Sequence, residues 1–196
     1  MRLCSLVLAA FLPCLAAGPQ IDPGKVLGST TAPVTIELFS SFACTHCKEF
    51  HDTILPQIVR DYVARGKVCV VSRECFNLSA PGAQDAARYA TAAVRIGKYQ
   101  EVADALFKKQ PSWIANGQVW GAVASVLTLA EQQKVQALSK DPAVAAEVQR
   151  DLTEAAAAGV TQTPTMVITR GITKYPFPGV PEYRLLRSLL DDILSK

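Results

Sequence analysis

The hexapeptide Phe42-Ala43-Cys44-Thr45-His46-Cys47 sets two thiols three residues apart, between an apolar run from Val34 to Phe39 and a repeat of Phe50, Ile54, Ile58 and Tyr62 at helical spacing. Two cysteines so placed at a helix start can close a small disulfide. The helix N-terminus offers free N–H groups and a partial positive charge, both of which favour a thiolate there. Cys44, at the exposed cap, is the expected nucleophile. Cys47, one turn in and shielded, is the expected resolving thiol. His46, when protonated, adds to the stabilisation of the Cys44 thiolate. A drop of about two to three pKa units would favour the reduced form by roughly 3 to 4 kcal/mol, and a favoured dithiol makes its disulfide a stronger oxidant.

Other uses of these thiols fit the spacing less well. A purely structural disulfide, with a surface histidine between its arms, leaves the strand–helix junction unexplained. Cys44, Cys47 and His51 could join Cys69 or Cys75 in a four-ligand zinc site, but the spacing is poor for one. Covalent haem needs His directly after the second Cys, where Lys48 stands. No metal and no cofactor is expected, and His51 is expected to be a surface or packing residue. Cys69 and Cys75, on one extended run, would hold their Cα atoms about 20 Å apart, against roughly 4.4–6.8 Å in a disulfide. Both are expected as free thiols, buried or partly buried.

These residues need elements to position them. Val34 to Phe39 suits a buried strand, and the following helix runs to Ala64 with a kink at Pro56, which lacks an N–H and crowds the preceding turn. Val68 to Ser72 is a second β-rich run after Arg65-Gly66-Lys67, completing a β-α-β unit. From about 80 to 158 the composition shifts to Ala, Gln, Glu and Lys with helical periodicity. That block reads as four or five helical segments, with breaks near Gly97, Pro111, Gly121 and Asp141-Pro142. Strand signals resume at Thr165 to Thr169, turn at Arg170-Gly171, continue from Ile172 to Phe177, and give way to an amphipathic helix over about 181–194. A third motif, Gly159-Val160-Thr161-Gln162-Thr163-Pro164-Thr165, stands directly before the first of these later strands. Alone, its proline is an ordinary turn residue.

The N-terminus has its own signature. Met1-Arg2 precedes an uncharged run from Leu3 to Leu15 and then Ala16, Ala17 and Gly18. This order reads as a secretory signal peptide over residues 1–18, and about 13 apolar residues are too few to span a bilayer as a mature helix. Lipidation of Cys14 is disfavoured by the bulky Phe11-Leu12-Pro13 ahead of it. Residues 19–196 are read as one domain, since 49% hydrophobic content supports a real core. Losing Arg2 takes the formal charge from +3 to about +2, spread without a basic block, so neither nucleic acid nor an anionic membrane is invited.

From about Gly28 to the C-terminus the sequence resembles the DsbA-like branch of the thioredoxin superfamily. The resemblance rests on GSTTAPVTIELFSSFACTHCKEFHDTILPQIVRDYVARGKV, GVTQTPTMVIT and the closing amphipathic helix, in that order. It implies an α/β thioredoxin fold, a central sheet with a helical insertion between β-α-β and β-β-α halves. It also implies a cis peptide at Thr163-Pro164 facing the disulfide, with the Thr163 backbone pairing with substrate beside Cys44. There are departures. Thr45 stands where strong oxidases of this family carry Pro, which affects the redox poise. Leu38 stands where many relatives carry an acid buried near the second thiol as a proton acceptor, and Glu37 is offset by one residue, on the other strand face, so it is not assigned as a proton relay. Thr163 is as typical of the isomerases, although no N-terminal dimerisation module is present and a monomer is expected.

The function expected is therefore dithiol–disulfide exchange through Cys44 and Cys47, forming disulfides in reduced or misoxidised exported proteins. It is expected in the periplasm or another extracytoplasmic space, with a membrane redox partner for recycling. An isomerase or reductase uses the same chemistry in another direction. A non-catalytic module binding extended peptides around Pro164 would instead keep the disulfide shielded from reductants.

Overall fold

A strand buried on both sides alternates its side chains between two layers, and Val34–Ser40 does so. In the computed structural model, which describes residues 21–75 and 80–196, this strand is the centre of a mixed sheet. The order across the sheet is β1 (Val26–Leu27), β3 (Val68–Glu74), β2 (Val34–Ser40), β4 (Thr165–Arg170) and β5 (Thr173–Pro178). β2 and β3 run parallel, and the other neighbours are antiparallel. The expected signal segment, 1–18, lies outside the described residues.

The helices are α1 (Thr45–Thr53), α2 (Leu55–Asp61), α3 (Ala83–Val94), α4 (Tyr99–Lys108), α5 (Gln110–Trp113), α6 (Trp120–Ala124), α7 (Leu129–Leu138), α8 (Pro142–Ala157) and α9 (Tyr183–Ser195). Val34, Ile36 and Leu38 of β2 join Met166 and Ile168 of β4 under Phe50, Ile58, Leu186, Leu190 and Ile193 from α1, α2 and α9. Phe39 and Val167 point to the opposite layer and meet Ala155 of α8. A second apolar cluster fills the helical block, with Val102, Leu106, Trp113 and Val123 at its centre, and reaches the redox motif through Phe42 and Cys47. Each element thus has one face in a core, which is what holds short helices such as α5 and α6 in place. Among the described residues no helix is long and apolar enough to cross a membrane.

Several boundaries differ from the sequence expectation. The long first helix breaks at Ile54, two residues before Pro56, which sits in the first turn of α2, where a missing N–H costs nothing. The 19–33 segment contributes β1, too short for a periodic signal, which covers the edge of β3. β3 continues through Arg73 and Glu74, because these charged residues are buried rather than turned to solvent. Between residues 83 and 157 lie six helices instead of four or five. Gly121 falls inside α6, and the turn ahead of it is made by Gly117, whose φ of +71° and approach to the Gly82 backbone exclude a side chain.

Arg73 and Glu74 belong to a polar seam under β3. Asp151 of α8, 1% exposed, accepts from Lys25 at 2.9 Å, from Arg73 at 3.2 Å and from the Glu74 backbone at 3.2 Å. Arg73 also holds Glu37 and Glu154, each at 2.9 Å. Buried charges persist only when paired in this manner, and here the pairs join the turn ahead of β1 to β2, β3 and α8 at one end of the sheet.

Candidate active site

Cys44 is the N-cap of α1, extended at φ −101° and ψ 124°, and its carbonyl accepts from Lys48 at 3.1 Å to start the helix. Its thiol is half-buried and donates to the Thr163 carbonyl at 3.5 Å, across 119 positions of sequence. The Thr163–Pro164 peptide is cis. That loop is held by Gly179, which donates to the Pro164 carbonyl at 2.8 Å, and by the Thr165 hydroxyl, which donates to the Gln162 carbonyl at 2.8 Å. Cys47 is 1% exposed, and its sulfur accepts from the Ser41 N–H at 3.4 Å.

The two thiols sit in opposite electrostatic settings. Cys44 is held down from an ordinary 9.0 to about 5, chiefly by a hydrogen bond from the Cys47 side chain. Burial opposes this, while the Thr163 side chain and the N–H groups of Cys47 and His46 reinforce it. Cys47 is driven upward, first by burial and then by its hydrogen bond to Cys44, with Ser40 and the Ser41 N–H pulling the other way. One sulfur is thus a stable, reachable thiolate. The other keeps its proton and lies behind it.

Thr45 and His46 are exposed on the first turn. His46 acts on Cys44 through its backbone N–H, and its ring makes no hydrogen bond or ion pair among the described residues. His51 packs against the helical block. It stacks on Phe107 at 4.6 Å and bonds Asp104 of α4 at 2.9 Å and Asp52 at 3.3 Å, tying α1 to the helical block. Burial lowers its pKa, but hydrogen bonds to Asp104 and Asp52 outweigh that and raise it. Cys69 and Cys75 are both free thiols, and Cys69 lies 3.4 Å from the Thr35 hydroxyl. Glu37, held by Arg73, lies on the sheet face away from Cys47, whereas Leu38 lines the space beside it.

One residue that shapes the site carried no signal in the sequence. Gln110 of α5, 2% exposed, donates from its single side-chain nitrogen to the carbonyls of Phe42 at 2.6 Å and Cys44 at 2.9 Å. A glutamine in a polar helical stretch gives no hint that it reaches back 66 residues. Only the packing of α4 and α5 beside the redox loop reveals it.

A mixed sheet with a CxxC at the start of the first helix, opposed by an X-Pro loop before an antiparallel strand, defines a thioredoxin-fold dithiol protein. A family model described as thioredoxin matches residues 21–176, and the chain belongs to that family. It is 26% identical over 165 residues to disulfide bond formation protein D of Bacillus subtilis (strain 168), covering 80% of this chain and 72% of that protein. A thioredoxin-like oxidoreductase from Silicibacter pomeroyi DSS-3 superposes with a TM-score of 0.73 at 28% identity, over 89% of this chain and 95% of that one. Wolbachia pipientis alpha-DsbA1 gives a TM-score of 0.73 at 22% identity, over 87% and 90%.

Proposed function

We propose that the chain is an exported protein-disulfide oxidoreductase of DsbA-like type, which passes the Cys44–Cys47 disulfide to proteins outside the cytoplasm. The observation that carries this is the half-buried Cys44 sulfur, its pKa held near 5 chiefly by the Cys47 side chain, set 3.5 Å from the Thr163 carbonyl oxygen and backed by a buried Cys47. A substrate thiolate attacks Cys44 and displaces Cys47, forming a mixed disulfide. A second substrate thiol then attacks the substrate sulfur, and Cys44 leaves as its stabilised thiolate. A leaving thiol of low pKa departs fastest, so the same feature that makes Cys44 reactive also drives release. The Thr163 backbone, beside Cys44, is the natural place for the substrate chain to pair, with Pro164 buried beneath it. Exposed Thr45 and His46 tune the potential.

The name of the Bacillus subtilis relative supports disulfide formation over reduction, and so does the depth of the Cys44 shift, which favours the dithiol product. Reduced exported proteins are the substrates on this reading, and a membrane redox partner returns the pair to the disulfide. Oxidation of a reduced dithiol peptide by the purified protein tests it, with Cys44→Ser as the control. Loss of all turnover in the variant is expected; full turnover without Cys44 sinks the mechanism. A reduction potential near that of thioredoxin, about −270 mV, would assign the pair to reduction instead.

A further inference from the structure

Given the proposed exchange at Cys44–Cys47, on which the following rests, the second thiol has a proton problem. When a substrate thiolate takes Cys44, the bond to Cys47 breaks and Cys47 keeps the electron pair. Cys47 is 1% exposed and burial disfavours its thiolate, so it is a poor leaving group unless a proton reaches it.

A cavity of about 30 Å³ lies beside this sulfur, lined in part by Leu38, Ser40, Ser72, Glu74 and Tyr99. A water occupies roughly 10–15 Å³ on such a measure, so there is room for about two. In the parallel pair β2–β3, Leu38 lies opposite Ser72 and Ser40 opposite Glu74. Strand alternation therefore puts all four side chains on the face that Cys47 meets. Ser40 hydrogen-bonds Cys47 at one end. At the other, the Tyr99 hydroxyl donates to Glu74 Oε1 at 3.3 Å and also meets Ser72. Glu74 is 3% exposed and is the carboxyl among the cavity's lining residues, whereas Glu37 is turned to the opposite face.

We propose that Glu74 supplies the proton to Cys47 and takes it back, across this cavity, through the Ser40, Ser72 and Tyr99 hydroxyls and enclosed water. The step balances. Substrate thiolate, the Cys44–Cys47 disulfide and the Glu74 carboxylic acid give the Cys44–substrate mixed disulfide, the Cys47 thiol and the Glu74 carboxylate. One S–S bond breaks, one forms, and one proton crosses the cavity. Reversal returns the proton when Cys47 attacks a mixed disulfide.

The surroundings fit both states of the carboxyl. Burial pushes Glu74 up to about 8, with Lys25 and the Tyr99 bond pulling down and Asp151 and Glu147 pushing up, so it holds a proton at neutral pH. The ionisable groups around it are Lys25 ahead of β1, Tyr99 on α4, Asp151 and Glu147 on α8, Cys75 next along the chain, and His51 of α1 and Arg73, which line the same cavity. Lys25, held by Asp151 at 2.9 Å and Glu147 at 3.4 Å, provides the positive charge that the carboxylate needs once the proton has left.

The test is the single-turnover reduction of the oxidised protein by a dithiol peptide, followed across pH and corrected for peptide thiolate, in wild type, Glu74→Gln, Glu74→Asp and Tyr99→Phe. The wild-type rate constant is expected to fall as pH rises through about 8. Glu74→Gln should be slower at neutral pH by roughly 100-fold, the lower end of general acid–base contributions, and flat across that range. Glu74→Asp should restore the pH dependence, and Tyr99→Phe should fall between Gln and wild type. The pH dependence of Cys44 alkylation should stay unchanged in all of them. A Glu74→Gln protein with the wild-type rate and profile overturns the relay while leaving the exchange chemistry standing. So does a flat wild-type profile, which needs no variant to fold. A wild-type protein inert to the dithiol would instead remove the exchange reading itself.

Discussion

Replacing Cys47 by Ala should raise the pKa of Cys44, because a hydrogen bond from the Cys47 side chain is the largest cause of its fall to about 5. A hydrogen bond to a charged partner contributes roughly 1.5 to 3 kcal/mol, and sulfur is a weak donor, so the low end applies. At about 1.4 kcal/mol per unit, the inflection should move up by about one unit. The Thr163 side chain and the two N–H groups remain, so Cys44 should still titrate well below an ordinary thiol. The whole wild-type drop corresponds to about 5 kcal/mol before solvent screening. Cys44 is half-buried, and solvent screening reduces that to roughly 2 to 3 kcal/mol, or about 40 to 65 mV toward an oxidising potential. The sign follows from a depressed pKa. The thiolate's contribution to the reduced form is fully present above the ordinary 9.0 and is lost as pH falls through about 5. Alkylation of Cys44 by iodoacetamide as a function of pH measures the inflection, and denaturation of the reduced and oxidised forms against pH measures the linkage. A wild-type inflection in the ordinary thiol range, or an unchanged one in Cys47→Ala, refutes the reasoning.

Gln110→Ala should cost about 1 to 3 kcal/mol, since it removes the donor shared by two carbonyls of the redox loop, and urea denaturation of the reduced protein checks it. Asp151→Ala should be more damaging, about 3 to 5 kcal/mol, because it strands the buried Lys25 and Arg73 without a shared acceptor. A denaturation midpoint within error of wild type would show that the remaining acids re-pair with both cations.

The sequence carried the local parts of this molecule and missed the parts that depend on distant packing. Val34–Phe39 and Thr165–Thr169 were readable as strand-forming runs, and α1 and α2 by their apolar repeat, because each pattern is set by the burial of the segment's own residues. The hairpin turn at Gly171, with φ +58°, was readable because only glycine takes that conformation without strain. β3 was cut short at Ser72 because Arg73-Glu74 looks like a solvent-facing end. Its burial depends on Asp151, which is 78 positions from Arg73 and offers no cue until α8 docks on the sheet.

The same division runs through the site. Cys44, Cys47 and Pro164 stand out because their residue types are chemically unusual at those spacings, and the fold brings Cys44 within 3.5 Å of Thr163. Leu38 and Glu37 pointed away from an acid near the second thiol, and the structure does turn Glu37 to the other face. The acid that shares the cavity with Cys47 lies one strand over, opposite Ser40, and strand register cannot be read from one sequence. A carboxyl in a strand is ordinary as a residue type. It becomes chemically distinctive when other elements close over it: burial and the nearby Asp151 and Glu147 keep its proton in place at neutral pH, while Tyr99 and Lys25 stand ready to stabilise the carboxylate. That is why the reactive thiol of this protein was visible in the chain, while the fate of its partner's proton became a question only in three dimensions.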